Sequence, residues 1–511
     1  METLIGFIVI IIAIVLIGRY FMFNSYIGGL IAIVFQVVFY ILKSIFGFLF
    51  GHSTSGIYGD AKFLSGWNKR RLISPNNKGL VLDGINKLSE EKSYQHLILI
   101  APTGGGKTTR YIIPNVLNLE TSAVITDPSG EIFNHTGGYL HQKGFKIKVI
   151  NVSNISGSYQ WNPLYRANST TDIDKIAEIL IKTAYPDSRG DSKFWNNLGQ
   201  QIIGLLIRCL KNQSTQYQNL HNVRYLLNKF GKDGSPLNNF FAANADRATF
   251  DEIVGYLSQD EKVIAGGISV AKACLQKFTD SKLCQLTATE TLNFESIRQE
   301  KTALYLIIPE QDISYYSFFM NIFYSQLYDF CMKPPKEDEP YLPITFLLDE
   351  FGNMNISGMS SLITVLRKRK VSLSLILQDL EQLTNNYGKS DASTILNNCS
   401  SKIYFSGLSL EMTRDLEATL GQTTVRYKEP DSSVWNSNSS ATIREIARPL
   451  MSSDQIRQLS DNEAILIHAN QRPALLTMTP FYKNRNLIKK ASIPPPIIEF
   501  DVPDELEFLN L

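Results

Sequence analysis

The stretch HLILIAPTGGGKTTRYIIPNVL, residues 96–117, leaves few folds open to this chain. A short apolar run, a glycine-rich turn and then a helical pattern opening on Lys107 make a strand, a loop and a helix, the unit from which parallel α/β sheets are built. The chemistry explains the composition. Gly104, Gly105 and Gly106 leave backbone N–H groups free to wrap phosphate oxygens, with Thr103 and Thr109 at either end of the cradle. Lys107 reaches terminal phosphates, and the Thr108 hydroxyl can ligate magnesium. Ala101 stands where the pattern's first Gly would be, which is tolerable unless a positive φ is required there. Pro114 kinks or shortens the helix. The bland alternative is a glycine-rich turn beside a surface lysine, and the strand before the loop argues against it.

Further apolar runs at 122–126, 146–152, 303–308, 344–348, 372–377 and 402–405 are continuous and rich in Ile, Leu and Val. Strands buried on both faces of a parallel sheet read this way, and the pair 463–468 and 474–479 adds to the sheet's edge. Between about residues 165 and 300 the spacing changes to three and four, as in the stripe Trp195, Leu198, Ile202, Leu205, Leu206 and Cys209. That region is expected to be an all-helical insertion.

The amino terminus differs in kind. Residues 4–17 and 26–42 are apolar runs that, with their aromatic flanks, reach the ~20 residues needed to cross a bilayer. Lys43, Lys62, Lys69, Arg70 and Arg71 follow the second run, which by the positive-inside rule puts the bulk of the chain in the cytoplasm. The expected organisation is a transmembrane hairpin (1–50), a first part of a nucleotide-binding domain (51–164), the insertion (165–300), a second part (301–490) and a Pro-rich acidic tail without packing (491–511).

In TFLLDEFGNM, Asp349 and Glu350 end an apolar strand, the edge at which open α/β sheets bind ligands. Asp349 is suited to hold hydrated magnesium and Glu350 to orient or deprotonate an attacking water. Downstream, Arg367, Lys368, Arg369 and Lys370 precede a buried strand that ends in Gln378. A cation from a neighbouring subunit could neutralise charge on a γ-phosphate, with Arg367 and Arg369 both available, and Gln378 could sense that phosphate. Equally, the basic run could solvate a helix end. The five cysteines lack any C-x-x-C pair and read as buried thiols in a reducing compartment. The six histidines form no H-E-x-x-H pair, which argues against a zinc protease. With 50 Lys plus Arg against 48 Asp plus Glu, any basic surface must be local.

These motifs resemble, in order, those of the TraG-like coupling proteins of type IV secretion and conjugation, which are membrane-anchored, RecA-like P-loop ATPases. GIYGDAKFLSG resembles that family's opening motif, APTGGGKT its P-loop, TDPSGEIF its second strand and QWNPLY its turn into the helical insertion. LLDEFGNM resembles its Walker B motif, and LILQDLEQLTNNYG followed by ILNNCSSKIYF its Gln-bearing strand and the next. The resemblance implies a homohexameric inner-membrane motor or gate that uses ATP and Mg2+. It implies delivery of relaxase-bound single-stranded DNA, effector proteins, or both to type IV secretion channel components. It implies nucleotide at residues 104–109, magnesium at Thr108 and Asp349, catalysis at Glu350, and trans or sensing roles at Arg367 and Gln378.

Two other readings stay open: a docking receptor in which nucleotide controls assembly and the insertion and tail recruit cargo, and a chromosome-type DNA translocase. The large insertion between the two ATPase motifs argues against the latter.

Overall fold

The computed structural model describes residues 57–186, 189–230, 235–429, 442–502 and 505–511. The expected spans at 4–17 and 26–42 lie outside them. Among the described residues no helix is long and apolar enough to cross a membrane.

The strands in chain order are β1 (Leu97–Ile100), β2 (Ser122–Thr126), β3 (Lys146–Asn151), β4 (Thr302–Ile307), β5 (Ile344–Leu348), β6 (Val371–Leu377), β7 (Ser401–Phe405), β8 (Gln422–Glu429), β9 (Thr442–Pro449), β10 (Glu463–His468) and β11 (Ala474–Thr477). Nine of them make one sheet in the order β11-β10-β7-β1-β6-β5-β2-β4-β3. Neighbours from β7 to β3 run parallel, and β10 and β11 continue the β7 edge antiparallel. Side chains alternate across a pleated strand, so one strand feeds two cores. Ile98 and Ile100 pack on the face that carries the long helices, and Leu97 and Leu99 on the face that carries Tyr111, Ile112 and Val116. Both faces being covered is why these runs read as continuous apolar sequence, each buried Leu or Ile contributing about 1.5–3 kcal/mol.

Between β3 and β4 the described residues form helices and no strand. The helix Thr170–Ala184 starts on a capping box in which Ser169 and Asp172 satisfy each other's backbone N–H groups. The expected stripe of the next helix, Asp191–Leu210, is buried at Leu198, Ile202, Leu205, Leu206 and Cys209. All five cysteines are free and buried, and burial pushes the Cys209 and Cys331 thiols up to about 12, so they are packing groups rather than nucleophiles.

Residues 57–60 form a separate compact unit with residues 421–448, to which β8 and most of β9 belong. Within it β8 and β9 pair as a ribbon, and the chain before Ala61 lies along β8, with Thr424 N–H donating to Gly59 O at 3.1 Å. Sequence reading did not anticipate this ribbon.

The segment expected to be an unpacked tail differs from that expectation. After the helix Arg485–Ala491 the chain crosses the helix Glu131–Gln142 at Gly138, where any Cβ would overlap the carbonyl oxygens of Ile493 and Pro494. It then follows the loop after β3, with Phe500 N–H donating to Ser156 O at 2.8 Å and the Phe500 ring edge-on to Tyr159. Main-chain bonds and close approach hold this segment together with the packing of Ile498 and Phe500, and the main-chain part leaves no mark in apolar composition.

Candidate nucleotide site

The register of three adjacent strands builds the site. Ile100 of β1 pairs with Leu377 of β6, and Leu348 of β5 pairs with Leu375, so these strands end on one edge of the sheet. The loop after β1, Gln378 after β6, and Asp349 and Glu350 after β5 therefore emerge together, at the carboxyl edge where α/β sheets bind ligands.

In the loop, Gly104 and Gly106 both have φ of 77°, a conformation that side chains disfavour. Ala101 has no positive φ; it is buried and extends β1, its N–H donating to Leu377 O at 3.0 Å, so Ala serves there as well as Gly. Arg110 Nη1 donates to Gly105 O at 2.7 Å and the Thr109 hydroxyl to Gly106 O at 3.2 Å, which fixes the loop from below. Thr108–Ile112 forms one wide π turn before the helix Ile113–Leu117, and Pro114 lies in that helix's first turn, where a missing N–H costs least. The helix is short, but it ends at Leu117, past the proline rather than before it.

Across from the loop, Thr108 Oγ1 lies 3.4 Å from Asp349 Oδ2, and Lys107 Nζ is ion-paired with Glu350 Oε1. Gln378 joins the two sides, donating from Nε2 to Glu350 Oε2 at 2.9 Å while its Oε1 accepts from the Thr103 hydroxyl at 3.1 Å. Asn353 Nδ2 donates to the same Glu350 oxygen at 3.3 Å. Glu350 adopts a left-handed backbone (φ 56°, ψ 34°), costing a non-glycine residue on the order of 1 kcal/mol, and its bonds hold it there. Burial pushes the Asp349 carboxyl up to about 7, with Lys107 pulling it back down.

This donor set fits a nucleoside triphosphate with magnesium: a hydroxyl and a carboxylate side by side suit a small hard cation, and a lysine beside a loop of free N–H groups suits phosphates. Thr103, Gly104, Gly105, Gly106, Lys107, Thr108, Thr109, Asp349, Glu350 and Gln378 lie within this one cluster. Arg367 does not. Arg367–Arg369 is a 3-10 turn before the amino end of β6, at the opposite edge of the sheet from Gln378, so neither Arg367 nor Arg369 belongs to its own chain's cluster.

Asp127 escaped the sequence reading. It follows β2 as Asp349 follows β5, and the pairing of Thr126 with Leu348 makes the two acids neighbours on adjacent strands. Asp127 is fully buried, with Oδ2 accepting from Phe133 N–H at 2.8 Å, and burial raises its carboxyl to about 6. The signal that finds Asp349, an acid closing an apolar strand, was present in SAVITDPSG as well.

A family model described as type IV secretory system conjugative DNA transfer matches residues 62–499. Among curated proteins, VirD4 of Rhizobium radiobacter is 22% identical over 414 residues, covering 77% of this chain and 58% of that protein. A conjugal transfer protein TraG of Escherichia coli is 22% identical over 452 residues, covering 79% of this chain and 69% of the relative. The chain thus spans somewhat under three fifths of the VirD4 length. Among solved structures, the bacterial conjugative coupling protein TrwB in a trigonal form with sulphate superposes with a TM-score of 0.64 at 14% identity, covering 84% of this chain and 96% of that one. TrwB in complex with ADP and Mg2+ gives 0.60 at 15% identity, covering 83% and 97%. At such identity these structures speak to the fold, a large parallel α/β sheet of the same kind.

Proposed function

This chain belongs to the type IV secretory system conjugative DNA transfer family, and from that premise we propose that it is the coupling ATPase of such a system, recruiting cargo and driving or gating its transfer. The observation that carries the reading is the meeting of Lys107 with Glu350, 243 positions apart in sequence, and of Thr108 with Asp349, 241 positions apart. VirD4 and TraG among its relatives, and TrwB structures bound to ADP and Mg2+ or to a non-hydrolysable ATP analogue, support it.

The residues divide the work as follows. Backbone N–H groups of residues 104–109 bind phosphate oxygens, and Lys107 turns to the terminal phosphate. Thr108 and Asp349 would hold magnesium, which supplies neutralisation of charge on the transferred phosphoryl group. Glu350 orients and deprotonates the attacking water. Gln378, already bonded to Glu350 and Thr103, links the carboxylate to the loop and senses whether phosphate is in place. Arg367, at the far edge of the sheet, acts on the next subunit's nucleotide in a homohexameric ring, with Arg369 the other candidate. The apolar runs at 4–17 and 26–42 anchor this ring in the bacterial inner membrane with its bulk in the cytoplasm. Its cargo is a relaxase-bound single strand, an effector protein, or both, passed to the channel components.

The test is magnesium-dependent ATP hydrolysis by the full chain in detergent or lipid, together with cargo transfer in cells. Lys107→Ala is expected to leave the protein folded and membrane-bound while both activities disappear. Transfer at the normal rate by that variant would overturn the motor reading.

A further inference from the structure

The last described residues do not end in solvent. Residues 505–511 lie against the helix Leu220–Leu227 of the helical region, and the contact is made by main chain. Asn222, fully buried, donates from Nδ2 to Glu507 O at 3.1 Å and accepts at Oδ1 from Leu509 N–H at 3.0 Å. His221 Nε2 donates to the same carbonyl at 3.1 Å. A side-chain amide that meets a carbonyl and the N–H two residues later reads an extended peptide as a neighbouring β-strand would, without regard to its side chains. Specificity comes from two neighbours of the clamped carbonyl. Leu509 is 5% exposed, whereas Phe508 is 49% exposed and rests edge-on against His221 and obliquely on Tyr225.

Asn222 is held ready for this. Asn219 caps the helix by accepting from the Asn222 backbone N–H at 3.1 Å, and its side-chain oxygen also takes the other Nδ2 proton of Asn222 at 2.9 Å. The remaining donor and acceptor of the Asn222 amide are then aimed outward in a buried setting, where an unpaired polar group is costly. The surface is therefore built for peptide main chain. Its present occupant is slight: one buried leucine, the partly buried Leu506, one half-exposed ring and three hydrogen bonds.

We propose that this face of the helical region is a peptide-recognition groove for an extended segment of partner protein carrying an aromatic residue followed by leucine, and that residues 505–511 occupy it in cis until such a segment displaces them. The groove rests on the coupling-protein reading only for the identity of the partner as protein cargo.

The experiment compares the full chain with a chain lacking residues 505–511, using a fluorescein-labelled peptide of the sequence ELEFLNL and fluorescence anisotropy. The shortened chain is expected to bind the peptide at least tenfold more tightly than the full chain, because the tethered segment competes at high effective concentration. Asn222→Ala in the shortened chain, or Ala in place of leucine at the peptide's fifth position, is expected to weaken binding at least tenfold. Equal binding to both chains, no binding by a shortened chain that keeps its cooperative thermal transition, or indifference to Asn222→Ala overturns the proposal. Should the shortened chain fail to fold, hydrogen exchange at the Leu509 amide of the full chain decides: protection in the native protein that is lost in Asn222→Ala supports the groove, and no protection sinks it. Nucleotide binding by the same preparations is read separately, so loss of the ATPase reading and loss of the groove are distinguishable.

Discussion

Lys107 is ion-paired with Glu350, whereas its nearest Asp349 oxygen lies farther away, at 3.9 Å. The cation that should meet the terminal phosphate is thus held by the carboxylate that should activate water, and Gln378 and Asn353 occupy that carboxylate's other oxygen. In the proposed function a triphosphate would draw Lys107 away and thereby free Glu350 to act on water. Binding and activation become one rearrangement.

Glu350→Gln removes the competitor for Lys107 along with the base. The variant is expected to bind a non-hydrolysable ATP analogue about tenfold more tightly, or ~1.4 kcal/mol. Its hydrolysis rate should fall by about 10²–10⁴. Calorimetric titration measures the first; an unchanged or weaker affinity would show that Lys107 is not being held back.

Arg367→Ala tells the work of the single subunit from that of the proposed ring. Because Arg367 lies at the edge of the sheet opposite Gln378, nucleotide affinity of the dissociated chain is expected to be unchanged. Turnover by the assembled protein should fall by about 10³ or more. If turnover survives in the assembly, the basic run merely solvates a helix end, and the same measurement on Arg369→Ala tells whether its neighbour acts instead.

Two buried histidines pin the amino edge of the sheet. His96 accepts from Leu373 N–H at Nδ1, and His468 Nδ1 meets the Ser401 hydroxyl; burial holds both rings down at about 4. Folded, they stay neutral, while the unfolded chain takes up protons from about pH 6.5 downward, so stability is full above pH 6.5 and is lost as pH falls through 4. Each contributes up to about 1.4 kcal/mol per pH unit in that window. Thermal midpoints measured between pH 7 and 4.5 should fall, and fall less steeply for His468→Gln; parallel curves would remove His468 from the account.

Gly138→Ala tests the crossing of residues 493 and 494 over the helix Glu131–Gln142. The obstructing atoms are all backbone, the carbonyl oxygens of Ile493 and Pro494 and the carbonyl carbon of Ile493, so the crossing segment rather than a side chain must move. A loss of about 1–3 kcal/mol is expected, with faster proteolysis between residues 493 and 502. Ala is otherwise the better helix former, so a stabilised variant would mean that the crossing is loose.

Much of the sheet was legible because burial on both faces leaves apolar runs unbroken, and Ser122–Thr126, Ile344–Leu348 and Glu463–His468 were bounded to the residue. Val371 was missed at the start of β6, a strand whose serines are paired internally, Ser372 with Ser93 O at 2.7 Å and Ser374 with Tyr111 at 2.9 Å. The ribbon of β8 and β9 was illegible because QTTVRYKE and TIREIARP carry too many polar residues to look buried. Residues 491–511 misled for a related reason, since their prolines and acids hide the few apolar residues that pack, such as Leu509, and composition does not register the main-chain bonds of Phe500 and Leu509. At the site, residue type and strand ends sufficed for Lys107, Thr108, Asp349 and Glu350. The pairing of Lys107 with Glu350 depends on a left-handed turn that no residue type announces.

Strand β6 has Gln378 at one end and Arg367–Arg369 at the other, with seven fully buried residues between them. Its length is about 23 Å at the usual rise per residue, and tight packing on both faces leaves it nothing to bend into. In the proposed ring, one end touches a subunit's own nucleotide and the other its neighbour's. In that ring such a strand would be a push-rod, tying the loss of phosphate at Gln378 to the adjoining site, and firing would then run sequentially around the ring rather than independently in each subunit.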